Sequence, residues 1–281
     1  MRVIAVVAMV AGLVRVVSAE DVVEPELQPD KVIELKTMPY PERYIDRPLV
    51  LPTKMLAIHG VVRINLTAES AASPIWIAPS AFYGLMPKLQ VGIVHDPGLC
   101  LLGKRDFLGT EVDECRGGVY DDFAVDGLYQ LLDRPEKHVV VAGHATLGAS
   151  QFDPVYLYLR AGALARYTFA SRFAVIADWA LRLGLSNRED GNKEAFDLPV
   201  QLAVQATDKL VVFAEVGLLA PLSELADSYF LSLGFAGLYA ISAKLDVGMR
   251  FEYPRIAGGR ATGTSAGSDF RQLDLFVTYR R

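Results

Sequence analysis

The sequence predicts an all-β protein: a transmembrane, antiparallel up-and-down β-barrel of about 12 strands, with short periplasmic turns and longer extracellular loops. Three observations predict it. Five tight polar turns end in Lys or Arg and lead straight into an alternating apolar strand, at Met86–Gly92, Pro135–Val140, Ser171–Val175, Thr207–Val212 and Ser242–Gly248. Between these hairpins lie longer polar links, so short and long connections take turns along the chain, as in a membrane barrel. Apolar residues make up 52% of the chain. Past the N-terminus they are interleaved with polar ones, and no stretch approaches the ~18 uncharged apolar residues that a membrane helix requires.

The elements follow in order. Arg2, the apolar run Val3–Val14 and the small residues Ser18 and Ala19 read as a secretory signal over 1–19, with Arg15 as an interruption. Residues 20–52 are acidic and proline-punctuated, from Pro25 to Pro52, and show neither a period of 2 nor of 3.6. They are expected as an extended periplasmic lead-in that can fold back into the barrel mouth. The barrel occupies 53–281. Its strands are expected near 55–65, 75–85, 89–95, 119–131, 138–148, 155–168, 173–184, 198–206, 210–219, 229–241, 245–253 and 271–280, the third extending toward the cysteine loop. Short turns fall near 86–88, 133–137, 169–172, 207–209 and 242–244. Longer links fall near 66–74, 96–118, 149–154, 185–197, 220–228 and 254–270. An even strand count places both barrel ends on the short-turn side. A soluble β-sandwich is the structural alternative, but it has no reason to sort its loops by length.

The strands sort into two faces, because successive side chains point to opposite sides. On 245–253, Leu245, Val247, Met249, Phe251 and Tyr253 oppose Asp246, Gly248, Arg250 and Glu252. On 173–184, Phe173, Val175, Ala177, Trp179, Leu181 and Leu183 oppose Asp178 and Arg182. The first set faces lipid and the second the lumen, since a midplane charge on the lipid face costs ~2–4 kcal/mol. Aromatics near strand ends, among them Tyr83, Tyr129, Tyr167, Phe173, Tyr239 and Tyr279, are expected to form interfacial girdles.

The lumen candidates carry both signs. They are Arg63, Arg160, Arg166, Arg182 and Arg250 with Asp122, Asp126, Asp178, Glu215, Asp246, Glu252 and Asp274, and His59, His138 and His144 among them. Eight strands give a filled interior and sixteen an open channel; about twelve lie between. These charges either line a narrow aqueous path or brace a filled lumen. Cys100 and Cys115, the two cysteines, lie in one expected loop and suggest a disulfide in an exported protein, worth roughly 3 kcal/mol in the chain-entropy model.

No cofactor or metal is expected: two lone thiols make a poor zinc site, and no H-E-x-x-H, Walker or paired CxxC motif occurs. Gly263–Gly267 matches the G-x-S-x-G pattern, but it lies in a flexible loop before a strand rather than on a strand-to-helix turn. An outer-membrane hydrolase is therefore the least favoured reading. A net charge of −5 argues against nucleic acid as a partner.

The lead-in Arg43–Pro52, with its R-P-L-x-L-P entry, and the Lys-Leu-x-Val-Gly exits at Lys88 and Lys244 resemble those of uncharacterised, porin-like outer-membrane β-barrel proteins of Gram-negative bacteria. The resemblance spans Arg43–Arg281. It implies an outer-membrane location, a surrounding of outer-membrane lipid and insertion by the outer-membrane assembly machinery. One departure is the C-terminus, where the last aromatic, Tyr279, stands two positions short of Arg281. The expected function is a passive porin-like channel for small solutes. The alternative is a non-conducting structural or surface-interaction barrel whose outer loops carry the contacts.

Overall fold

The computed structural model describes residues 40–67, 72, 74–96, 98–102, 120, 122–152, 154–224, 229–258, 267, 268 and 270–281. The signal and most of the lead-in lie outside them, as do Cys115 and Ser265.

The strands are β1 (Leu56–Asn65), β2 (Ile75–Met86), β3 (Leu89–Val94), β4 (Leu99–Leu102), β5 (Asp122–Arg134), β6 (Val139–Phe152), β7 (Val155–Phe169), β8 (Phe173–Gly184), β9 (Ala195–Gln205), β10 (Leu210–Pro221), β11 (Phe230–Ser242), β12 (Leu245–Gly258) and β13 (Gln272–Arg280). Sequence neighbours pair antiparallel around the sheet, and β1 pairs with both β2 and β13. The sheet thereby closes on itself, which removes the two edges that an open sheet would expose. β3 and β4 are two pieces of one wall position. β3 pairs with the Ala81–Met86 part of β2, and β4 with Ile75–Ile77. The result is a closed 12-strand barrel, as the alternation predicted.

The wall forms from residues suited to it. Outward positions are β-branched, leucine or aromatic: Val62, Val125, Leu147, Trp179, Val216, Phe235, Met249 and Val277 are all exposed. In a soluble sandwich such residues would be packed between two sheets. Here they form a continuous apolar outer surface, far larger than a soluble monomer tolerates, and lipid is the solvent that fits it. Outward Tyr83, Tyr129, Tyr167, Phe173, Tyr239 and Tyr279 ring the short-turn end. Tyr167, Phe169 and Phe173 stack at 5.6–6.0 Å between ring centroids.

The short turns need left-handed backbone. Lys88, His138 and Ala170 have φ of 70°, 56° and 53°. This corrects one residue of the lumen set: His138 caps the 3-10 turn Pro135–Lys137 and is exposed there. A reversal in so few residues requires a left-handed position, and His138 fills it before the strand begins.

One long link also turns out short. β6 runs to Phe152 and β7 starts at Val155, with Ser150 opposite Tyr156 and Phe152 opposite Val155. Pairing continues beyond the expected end near residue 148, because Leu147, Leu157 and Val155 carry the apolar alternation onward.

The core sits inside the barrel at its short-turn end, and residues 40–52 contribute Ile45 and Val50 to it. Ile45 packs among Ala174, Ile176, Ala203, Val211, Phe213 and Leu238. Val50 packs against Leu128 and Ala142. Inward small residues (Ala57, Ala174, Ala203 and Ala240) leave room that wall side chains of a barrel this wide could not fill. The segment leaves the lumen beside Gly84, whose backbone bonds both Lys54 and Met55. A methyl group at Gly84 would overlap the carbonyl oxygen of Pro52.

Candidate functional site: the charged lumen

The lumen charges lie in rows set by strand register, because residues directly opposite across a ladder stand side by side on one face. Asp274 on β13 lies between Arg63 on β1 and Arg250 on β12. Arg63 Nε donates to Asp274 at 3.1 Å and its Nη1 to Asp96 at 2.5 Å. Arg250 Nη2 donates to the other oxygen of Asp274 at 2.7 Å. The Arg250 guanidinium also lies 3.3 Å from Glu252 and 3.7 Å from Glu215. Gln201 and Gln272 donate to Glu215 and Glu252 at 3.0 and 2.9 Å, so these carboxylates keep partners beyond Arg250.

The opposite wall carries a second network. His144 places Nε2 at 2.7 Å from Asp126 and Nδ1 at 3.0 Å from Asp178. Thr146 donates to Asp126 at 2.7 Å. Arg160 reaches Asp178 at 2.9 Å and Asp197 at 3.3 Å. Arg160 and Arg182 are cross-strand neighbours of like charge. They turn apart: Arg182 donates to Ser150 at 2.9 Å and lies 4.4 Å over the Tyr158 ring. Asp122 accepts the backbone N–H groups of Asp96 and Gly98, which fixes the bend between β3 and β4.

The third cluster joins the N-terminal segment to the wall. Arg47 grips Asp246 with both terminal nitrogens, at 2.7 and 2.9 Å. Arg280 donates to the same carboxylate at 2.6 Å. Asp246 is 0% exposed. The remaining Arg47 donors go to the carbonyls of Pro41 and Glu42, so the arginine also folds its own segment. A two-pronged, fully hydrogen-bonded pair of this kind offsets the desolvation cost of burying both ions. Tyr40 packs on this cluster, with Arg280 4.9 Å and Arg47 5.6 Å from its ring centroid. Burial pushes the Tyr40 phenol up, against the lowering by Arg280 and Arg47, so it stays a neutral hydroxyl at physiological pH.

Among the described residues, three cavities follow the axis. One of about 410 Å³ lies against the segment in the short-turn half and is lined by Tyr40, Arg47, Arg166 and Arg280. The next, about 340 Å³, runs upward past His59, Glu215 and Asp274. The two share Tyr44, Gln201 and Arg250. A third, about 510 Å³, opens at the long-loop end between Trp76, Arg255 and Arg271 and shares Arg63 with the second. Tyr44, held edge-on to Phe213 at 5.0 Å, therefore stands at the inner junction and Arg63 at the outer one.

The alternation placed Arg63, Arg160, Asp178, Arg250 and Asp274 on one face but could not say which pair. Several contributors escaped it. Asp96 lies in a link past the expected strand 89–95. Arg280 lies inside the expected strand 271–280 on the face of Asp274, and Asp197 lies one residue before the expected strand 198–206 on the face of Gln201. Arg47 lies in a segment without periodicity and gave no such signal. Among the described residues no serine hydroxyl hydrogen-bonds a histidine ring; His59 meets Thr278, His95 meets Pro79 and Tyr120, and His144 meets carboxylates. No cluster of three or more His, Cys, Asp or Glu able to hold a metal ion occurs among them.

No protein-family model and no curated protein sequence matches the chain. Solved structures do share its fold. The NanC porin matches at a TM-score of 0.56 and 8% identity, covering 80% of this chain and 98% of that one. The KdgM porin, solved with a disordered oligogalacturonate, matches at a TM-score of 0.51 and 7% identity, covering 79% of this chain and 98% of that one. At such identities the likeness is one of fold. The chain has the closed antiparallel architecture of an outer-membrane porin, with part of its own N-terminal region inside the lumen.

Proposed function

We propose that the protein is a passive, porin-like channel of the outer membrane for small solutes, narrowed from the short-turn side by residues 40–52. The observation that carries this is the succession of three cavities along the axis, joined through Tyr44, Gln201 and Arg250 and then through Arg63. The middle cavity mixes Arg63 and Arg250 with Asp96, Glu215 and Asp274, while arginines outnumber carboxylates in the other two, which suits hydrated polar solutes and gives some charge selection. The fold supports the reading, because its apolar exterior requires lipid and its polar interior requires water or ion pairs.

The experiment is single-channel recording in a planar bilayer, on the full chain and on a variant lacking residues 41–48. Small discrete steps from the full chain, enlarged in the variant, are expected. Folded protein that conducts in neither form would sink the channel reading.

A second reading rests on a specific observation: Ile45, Val50 and Arg47 are all buried in the lumen. On that reading the barrel is non-conducting and structural, with its long loops as contact surfaces. Conduction by the deletion variant alone would favour it.

Export by residues 1–19, delivery to the assembly machinery and a Cys100–Cys115 disulfide belong to the same proposal. Cys100 is buried on β4 and is not a free thiol. Peptide mapping without reduction should recover the two cysteines joined, and two separately alkylated thiols would refute the bridge.

A further inference from the structure

We propose that the short-turn chamber is a binding site for a small oxyanion, a carboxylate or phosphate group held between Arg166 of the wall and Arg47 and Arg280 beside the N-terminal segment. The proposal goes beyond the channel reading and does not need the barrel to conduct.

Arg166 is the starting point. It projects inward from β7 and is only 8% exposed. Its cross-strand neighbours on the same face are Val140 on β6 and Ile176 on β8, both apolar. Among the described residues no carboxylate lies within ion-pair distance of it and no group accepts a hydrogen bond from it, whereas the other inward arginines of the lumen, Arg63, Arg160, Arg182, Arg250 and Arg280, each have an acceptor. Asp46 and Asp133 reach it only through space. The Arg166 donors open unmatched onto the chamber, and a counter-anion there would pair them.

The surroundings have the same sign. Arg47 and Arg280 line this chamber with Arg166, and those two share the single carboxylate of Asp246. Arg280 Nη1 is itself buried without an acceptor. Of the four arginines that line the chamber, Arg250 is held by Asp274, Glu215 and Glu252; the other three have between them the carboxylate of Asp246, and donor groups on Arg166 and Arg280 are unmatched. Asp178 also borders the chamber, but His144 and Arg160 already hold it. The volume of about 410 Å³ is ample for a small oxyanion with water. Arginine forks match carboxylate and phosphate oxygens two at a time, which sets such ligands apart from chloride. Because Arg47 and Tyr40 belong to the segment, an anion here bridges segment to wall and holds residues 40–52 in place.

The test is equilibrium dialysis of the full chain, folded in a zwitterionic detergent, against radiolabelled inorganic phosphate, with acetate and chloride as competitors. Saturable binding is expected, displaced by acetate more effectively than by chloride. Arg166→Gln should weaken it about tenfold or more, the loss of one charge-assisted fork. Arg166→Lys should fall between, keeping the charge without the fork. Arg63→Gln, in the other half of the lumen and outside this chamber, should leave phosphate binding unchanged. Should Arg166→Gln not fold, Arg166→Lys carries the test. Absence of saturable binding, an affinity untouched by either Arg166 change, or an equal loss in Arg63→Gln would overturn the proposal, the last by showing a diffuse response to net charge. None of these readouts involves current, so failure here and failure of the channel reading are separate results.

Discussion

Toward the short turns, the lumen is partly occupied by the chain itself: Ile45 and Val50 pack into it, leaving one chamber, and Arg47 meets Asp246 in full burial. Toward the long loops, the same wall faces open cavities, and Arg63 bridges Asp274 to Asp96, whose side chain is 74% exposed. Both halves obey one alternation, and both use arginine–carboxylate pairs. What differs is the medium around each pair. In the occupied half a pair is desolvated and acts as a lock on residues 40–52. In the open half it stays near water and shapes a path. The same residue types thus serve structure at one end and passage at the other.

The comparison can be broken most sharply at Asp246. Asp246→Ala leaves Arg47 and Arg280 buried together without a carboxylate and should cost about 3–5 kcal/mol. Urea unfolding in detergent, followed by tryptophan fluorescence, measures it; a loss under about 1 kcal/mol would mean the triad is not a lock. Ile45→Ala should cost about 2–5 kcal/mol by opening a cavity among Ala174, Val211 and Phe213. It should also speed proteolysis of residues 40–52 while the barrel resists, and an unchanged cleavage rate would argue that the segment is held elsewhere. In the open half, Arg63→Gln should cost no more than about 1.5 kcal/mol, because Arg250 still holds Asp274. Its larger effect should be on selectivity, with the reversal potential in a salt gradient moving toward cations. The smallest effect is expected outside both halves. Arg188 and Glu194 pair in an exposed link, so Arg188→Ala should change stability by less than about 1 kcal/mol. A loss like that of Asp246→Ala would erase the distinction between buried and exposed pairs.

The wall was legible almost residue by residue. The strand expected at 173–184 is β8, Phe173–Gly184, with its faces as expected, because Trp179 and Leu181 alternate with Asp178 and Arg182. Where legibility failed, the cause was that side-chain alternation does not mark where a ladder ends. β6 and β7 kept pairing past residue 148, and His138 went to the turn because backbone geometry outranked side-chain type. The charged face was legible as a set, but its partners were not. Like-charged Arg160 and Arg182 stand opposite each other, and only the positions of Asp178, Ser150 and Tyr158 decide where each turns.

By itself, the sequence determined the wall: which residues meet lipid, which meet the lumen, and that the strands run up and down. That information is local, since the direction of a side chain in a strand depends on its own position and its neighbours. Only the tertiary structure decided the contents of the lumen. Arg47 and Asp246 stand 199 residues apart, and closure of β1 onto β13 is what brings them together. The burial of Arg166 among apolar neighbours depends on that closure too, and on residues 40–52 lying inside it. A segment without periodicity carries no sign of where it docks, because its place is set by the space the closed wall leaves.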